Sequence, residues 1–181
     1  MAKNVQSDYV EQGPENGGSF RLLWAFIYSQ LKTPLPHFSF WAYLLVAVLG
    51  AGALGFWVEL VRFWRGDSDT AAVLTAVYTF FPALAAGATL QMSLDERDKK
   101  YVISFAHLAG AIVFITTLPR TLNFSGMAVS IVLGVVGTLL ATLLWWIANG
   151  GNSSFQDFTP TAAVGGDTSS TPEGDISQYN H

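Results

Sequence analysis

The 181-residue chain is 51% hydrophobic and 12% charged, carries nine basic and 13 acidic residues for a net charge of -4, and contains no cysteine. A charged fraction about half the roughly 25% of ordinary globular domains belongs to a chain solvated by lipid, and the small negative balance excludes a basic face for nucleic acid. Without cysteine there are no disulfides, no thiolate catalysis and no zinc-cysteine site.

Residues 1–18 hold Asp8, Glu11, Glu15 and Pro14 with few large apolar groups, which predicts a flexible tail and not a cleaved signal peptide. From Ser19 the pattern changes. Phe20, Leu23, Trp24, Ile27 and Leu31 recur at helical spacing until Thr33 and Pro34 stop them. A helix over residues 19–33 is about 21 Å long, too short for an apolar core of about 30 Å. It is expected to be amphipathic, lying in the interface with Trp24 and Tyr28 at headgroup level or packing on its neighbours.

The first span is predicted over 38–61, with Phe38, Phe40, Trp41 and Tyr43 as one aromatic belt and Phe56, Trp57, Phe63 and Trp64 as the other. Ala47, Ala51 and Gly55 repeat every fourth residue, a ridge that lets another helix approach. Glu59, the only charge in this span, precedes Arg62 by three residues and reads as half of an interfacial ion pair. Asp67 or Asp69 can then cap the second span, 71–92, in which Pro82 predicts a kink near Tyr78.

Asp95, Glu96, Arg97, Asp98, Lys99 and Lys100 follow without interruption. Nothing so polar sits in hydrocarbon, so the spans on either side form a hairpin ending at one membrane face. The third span covers 101–118 and ends at Pro119 and Arg120, with His107 about two turns in. The fourth, 127–147, closes on Trp145 and Trp146. It carries the longest small-residue stripe of the chain, Gly126, Ser130, Gly134, Thr138 and Thr142, which reads as a helix-packing or homo-oligomer interface. Residues 148–181 are acidic and rich in Gly, Ser and Thr, and are expected to be flexible.

The expected fold is therefore all-α: a polytopic membrane protein with four transmembrane helices in 34–147, an N-terminal interfacial helix and flexible termini. Lys3, Arg21, Lys32, Arg97, Lys99 and Lys100 share one side of this topology, against Arg62, Arg65 and Arg120 on the other. That bias places both termini in the cytoplasm of a bacterial inner membrane.

The connections are too short to hold a domain outside the bilayer, so any chemistry would fall to Glu59 and His107. No second acid, base or set of converging ligands accompanies either, and the expectation is a non-enzyme without metal or cofactor. Small multidrug exporters also have four short spans, but they depend on a carboxylate deep in the first; Glu59 lies at the rim, so that pattern is not met.

The layout of spans 38–61, 71–92, 101–118 and 127–147 resembles that of the membrane subunits of bacterial two-component defence operons, such as the four-span subunit of the Kiwa anti-phage system. The resemblance implies a membrane sensor or anchor that reports envelope disturbance to a soluble cytoplasmic partner, and it carries no functional residue across. The run from Asp95 to Lys100 is the expected docking surface for that partner. The alternative is a small oligomeric channel or transporter subunit with Pro82 and His107 on its path, although Thr75, Tyr78, Thr79 and Thr89 form no continuous polar stripe.

Overall fold

The computed structural model describes residues 18–95, 99–122, 124 and 126–157. Among them the chain is helical and has no strand: α1 (Ser19–Lys32), α2 (Phe38–Ala42) running into a π-helix (Tyr43–Gly52), α3 (Leu54–Arg65), α4 (Thr70–Asp95), α5 (Lys100–Ile115), α6 (Leu118–Thr121), α7 (Met127–Asn149) and a 3-10 turn (Ser153–Phe155). Three stretches, α4, α5 with α6, and α7, are long and apolar enough to cross a membrane. The outer face of α7, with Val132, Val135, Leu139 and Leu143 all exposed, is suited to lipid and not to water.

The segment expected to be the first span consists of two pieces bent by 60°. Its first part is wound as a π-helix, in which each amide reaches one residue further back than in an α-helix. Gly50 and Gly52 suit that winding, because a methyl group on either would lie 3.2 Å from the carbonyl oxygen five residues earlier. The helix stops at Ala53, where the bend interrupts the backbone ladder and carbonyls of the preceding turn draw on other donors. Trp57 closes one of them, its indole N–H donating to Leu49 O at 2.7 Å. Ala47, Ala51 and Gly55, expected to form a four-residue ridge, straddle the π-helix and the bend. Ala51 and Gly55 are exposed.

The α3–α4 turn is fastened by local chemistry. Gly66 adopts φ +80 beyond α3, and the amides of Gly66 and Asp67 return to Phe63 O and Arg62 O, the double closure of a Schellman ending. Glu59 accepts from Arg62 Nη1 at 2.8 Å and from Ser68 Oγ at 2.7 Å, so the expected ion pair also ties down the loop. Asp69, not Asp67, caps α4, accepting from Ala72 N at 2.8 Å.

α4 is the axis of the fold. It runs without interruption through Pro82 and packs on α7, α5 and α3. Phe81, Ala85, Ala88 and Met92 of α4 meet Val102, Ala106 and Val113 of α5 and Ala141, Leu144 and Ile147 of α7 in one buried cluster. Alanine and glycine bring the backbones close where bulky side chains would hold them apart, and dispersion then stabilises the contact in a solvent as apolar as the core. Thr89 sits against Gly110, its hydroxyl donating to Ala106 O at 3.3 Å. Pro119, expected to end the third span, stands in the first turn of α6 and helps start it.

Candidate functional site

The antiparallel order of α4, α5 and α7 brings α1, the start of α2, the α4–α5 connection and the chain after α7 to one end of the bundle. α1 lays Phe26, Ile27 and Leu31 on the core cluster, while Phe20, Trp24 and Tyr28 remain exposed on its other side. Its docking is close. A methyl group at Gly150 would lie 2.0 Å from Gln30 O, and Gly151 faces the Gln30 side chain. Beside this contact Gln91 of α4 donates to Asn149 Oδ1 at 3.0 Å, and Asn149 donates to Trp145 O at 2.9 Å. The first of these bonds joins the C-terminal parts of α4 and α7, and the second holds the Asn149 side chain against its own helix.

Residues 150–157 were expected to begin a flexible tail, yet they fold back on the start of the first span. Phe155 packs on Phe40, Tyr43 and Trp145, with ring centroids 6.4, 4.6 and 6.4 Å apart. The expected lipid-facing belt is thus partly an internal aromatic cluster, in which Phe40 is wholly buried, because the start of α2 and the end of α7 are neighbours. Beyond Phe155, the Asp157 carboxylate accepts hydrogen bonds from the backbone amides of Phe38 and Ser39 and from the Ser39 hydroxyl, while Asp157 N donates to His37 Nδ1 at 3.1 Å. It caps a helix more than a hundred residues away in sequence, which has no side-chain cap of its own.

This latch titrates. The Ser39 hydroxyl, followed by the Ser39 and Phe38 amides, holds the Asp157 carboxyl below its ordinary value against the opposing effect of burial. A lowered folded-state pKa means that the ionised form stabilises the fold. The contribution is complete above the unfolded carboxyl value and is lost as pH falls through the folded one. Amide exchange at Phe38 and Ser39 should therefore stay slow from neutral pH down to the carboxylate range and quicken below it, and Asp157→Asn should flatten the profile. Equal protection on both sides of that range would show that the carboxylate does not hold the helix.

No protein-family model, curated protein or solved structure matches this chain. Of the expected docking run, Asp95 ends α4, Lys100 begins α5, and both are exposed. Lys99 Nζ stands 5.4 Å from the Phe26 ring centroid, joining the connection to α1. Glu96, Arg97 and Asp98 lie outside the described residues, as do 1–17 and 158–181 of the expected tails. A cavity of about 390 Å³ opens at this end between Phe26, Gln30, Met92, Asp95 and Asn152. Gln30 Oε1 is buried there with no hydrogen-bond partner among the described residues.

The stripe on α7 is spent inside the chain. Ser130 and Gly134 are buried, Gly134 faces Val77 and Tyr78 of α4, and the Tyr78 hydroxyl donates to Ser130 O at 2.9 Å. Thr138 and Thr142 are half-buried, the Thr138 hydroxyl returning to Gly134 O at 2.8 Å, and Gly126 is exposed before the first turn. His107 projects from α5 outside the core, its Nδ1 2.8 Å from Ile103 O, and among the described residues makes no hydrogen bond to a facing helix. Among the described residues no three His, Asp or Glu side chains group as metal ligands. The sequence reading overlooked Gly150, Asn149 and Asp157. A Gly-Gly pair directly after an apolar helix was the available signal for close contact, whereas nothing local marks Asp157.

Proposed function

We propose that this protein is a non-enzymatic integral membrane protein of a bacterial inner membrane, a sensor or anchor that holds a soluble cytoplasmic partner. In this reading the bent first segment crosses the bilayer as a fourth span, α1 lies along the cytoplasmic headgroups as an amphipathic helix, and both termini are cytoplasmic. The observation that carries the reading is the meeting of α1, the charged α4–α5 connection and residues 149–157 at a single end, with a polar cavity between them. That end gathers most of the polar side chains the described chain can present to a protein. Two-component anti-phage defence is the setting the layout suits, with the partner as effector and the bent span as the part that bilayer disturbance deforms.

A channel is less well supported. Thr75 and Thr79 donate to carbonyls of their own helix at 2.8 Å, so they spend on α4 the hydrogens a conducting path would use. Charge reversal of both Lys99 and Lys100 to Glu should abolish co-purification of the cytoplasmic partner while leaving membrane insertion intact. Retention of the partner by that double variant would reduce the connection to a simple turn. A gene for a soluble effector beside this one is the expected neighbourhood.

A further inference from the structure

A groove of about 440 Å³ runs along the outer surface between α4 and α5. Its two ends differ in chemistry. Ser93, Thr89 and His107 lie toward the charged connection, whereas Pro82, Ala86 and Phe114 line the deeper part. Ser93 is two residues from the end of α4, and His107 is seven from the start of α5, about 10 Å along the helix. From Ser93 to Pro82 the groove follows α4 for about 16 Å.

Every donor hydrogen in the polar part is already committed. Ser93 Oγ donates to Thr89 O at 2.8 Å and Thr89 Oγ1 to Ala106 O at 3.3 Å. His107 Nδ1 lies 2.8 Å from Ile103 O. A carbonyl only accepts, so Nδ1 carries the proton, and Nε2 is the ring nitrogen left to accept from a ligand. What the groove offers is a set of lone pairs at its shallow end and hydrocarbon at its deep end. Acyl chains bring no donor to such a set, and unmet acceptors are costly there. A second copy meets the need poorly. The outer face of α7 is apolar, and two such grooves pressed together would set acceptors against acceptors.

We propose that the α4–α5 groove binds a membrane lipid of the glycerol type with a free hydroxyl, its acyl chain lying toward Pro82 and Phe114 and its hydroxyl donating to His107 Nε2. The inference requires only that α4 and α5 lie in the bilayer, so its failure leaves partner docking untouched, and loss of partner docking leaves it standing.

The test uses the full chain, labelled with 15N-histidine, in lipid nanodiscs titrated with monoolein or with methyl oleate, which has the same chain and no donor. Monoolein should move the His107 Nε2 resonance saturably toward its hydrogen-bonded position, and methyl oleate should not. His107→Phe, which keeps the ring and removes the acceptor, should lower monoolein retained by the purified protein about fivefold, the equilibrium equivalent of one ordinary hydrogen bond. Equal response to the two amphiphiles, or to neither, would overturn the assignment. So would a shift that follows the protein-to-lipid ratio in the absence of any donor, because a second copy would then cover the groove.

Discussion

Replacing Gly150 with alanine will lift α1 from the bundle. The added methyl group would lie 2.0 Å from Gln30 O and 2.8 Å from Gln30 C. Both are backbone atoms in the last turn of α1, so no rotamer change makes room and the backbone of α1 must move. Overpacking of this kind costs about 1–3 kcal/mol, equivalent to about 5- to 150-fold in the docking equilibrium. The native chain has no cysteine, which makes a single reporter clean: maleimide labelling of Ile27→Cys should accelerate in the Gly150→Ala background. Gly151→Ala should do much less. Its methyl group would meet only the Gln30 side-chain amide at 2.8 Å, and that amide can swing away. An unchanged labelling rate in Gly150→Ala would mean that α1 is not seated on this glycine. If α1 forms part of the docking end, the same variant should also weaken partner binding.

A second large effect is expected where α4 crosses α7. A methyl group at Gly137 would lie 2.6, 2.8 and 3.0 Å from three atoms of the Phe81 ring, which is wholly buried and held on all sides by the core. Gly137→Leu should lower stability by about 3 kcal/mol or more, the upper end of overpacking costs, read as a fall in the thermal midpoint of the protein in mild detergent. Gly134→Ala should be milder, since its nearest contacts would be 3.3 and 3.4 Å away on Val77 and Tyr78. Gly55→Ala meets nothing within 4 Å, and in exposed helix it should stabilise by up to about 1 kcal/mol through propensity alone. This ranking follows from a stripe packed within one chain. Gly134→Leu that dispersed an oligomer while leaving the thermal midpoint unchanged would place the stripe between chains instead.

Both predictions concern glycines whose meaning depends on what faces them. Gly134 stood out in the sequence because it falls in a four-residue repeat, but periodicity reports only that a helix has a narrow face. Whether α4 of the same chain or α7 of another fills that face is a question of which helices become neighbours. Gly150 carried even less information locally. A glycine after the last apolar residue of a helix reads as a helix stop and the start of a tail, and only the approach of Gln30 gives it a second role.

What the sequence determined by itself was the part of the architecture set by solvent. Long apolar runs in α4, α5 and α7, and the charges from Asp95 to Lys100 between two of them, require spans and a hairpin whatever else the chain does, because transfer free energy acts on each segment separately. The Glu59 and Arg62 pair and an aspartate cap on α4 were equally readable, being contacts between residues a few positions apart. The tertiary structure decided the rest. It bent the first segment at Ala53, turned the α7 stripe inward onto α4, folded residues 150–157 back to cap α2 with Asp157, and left His107 facing outward. Each of these depends on partners tens of residues away or more, or on a backbone hydrogen-bond register, and a sequence pattern of fixed period carries neither.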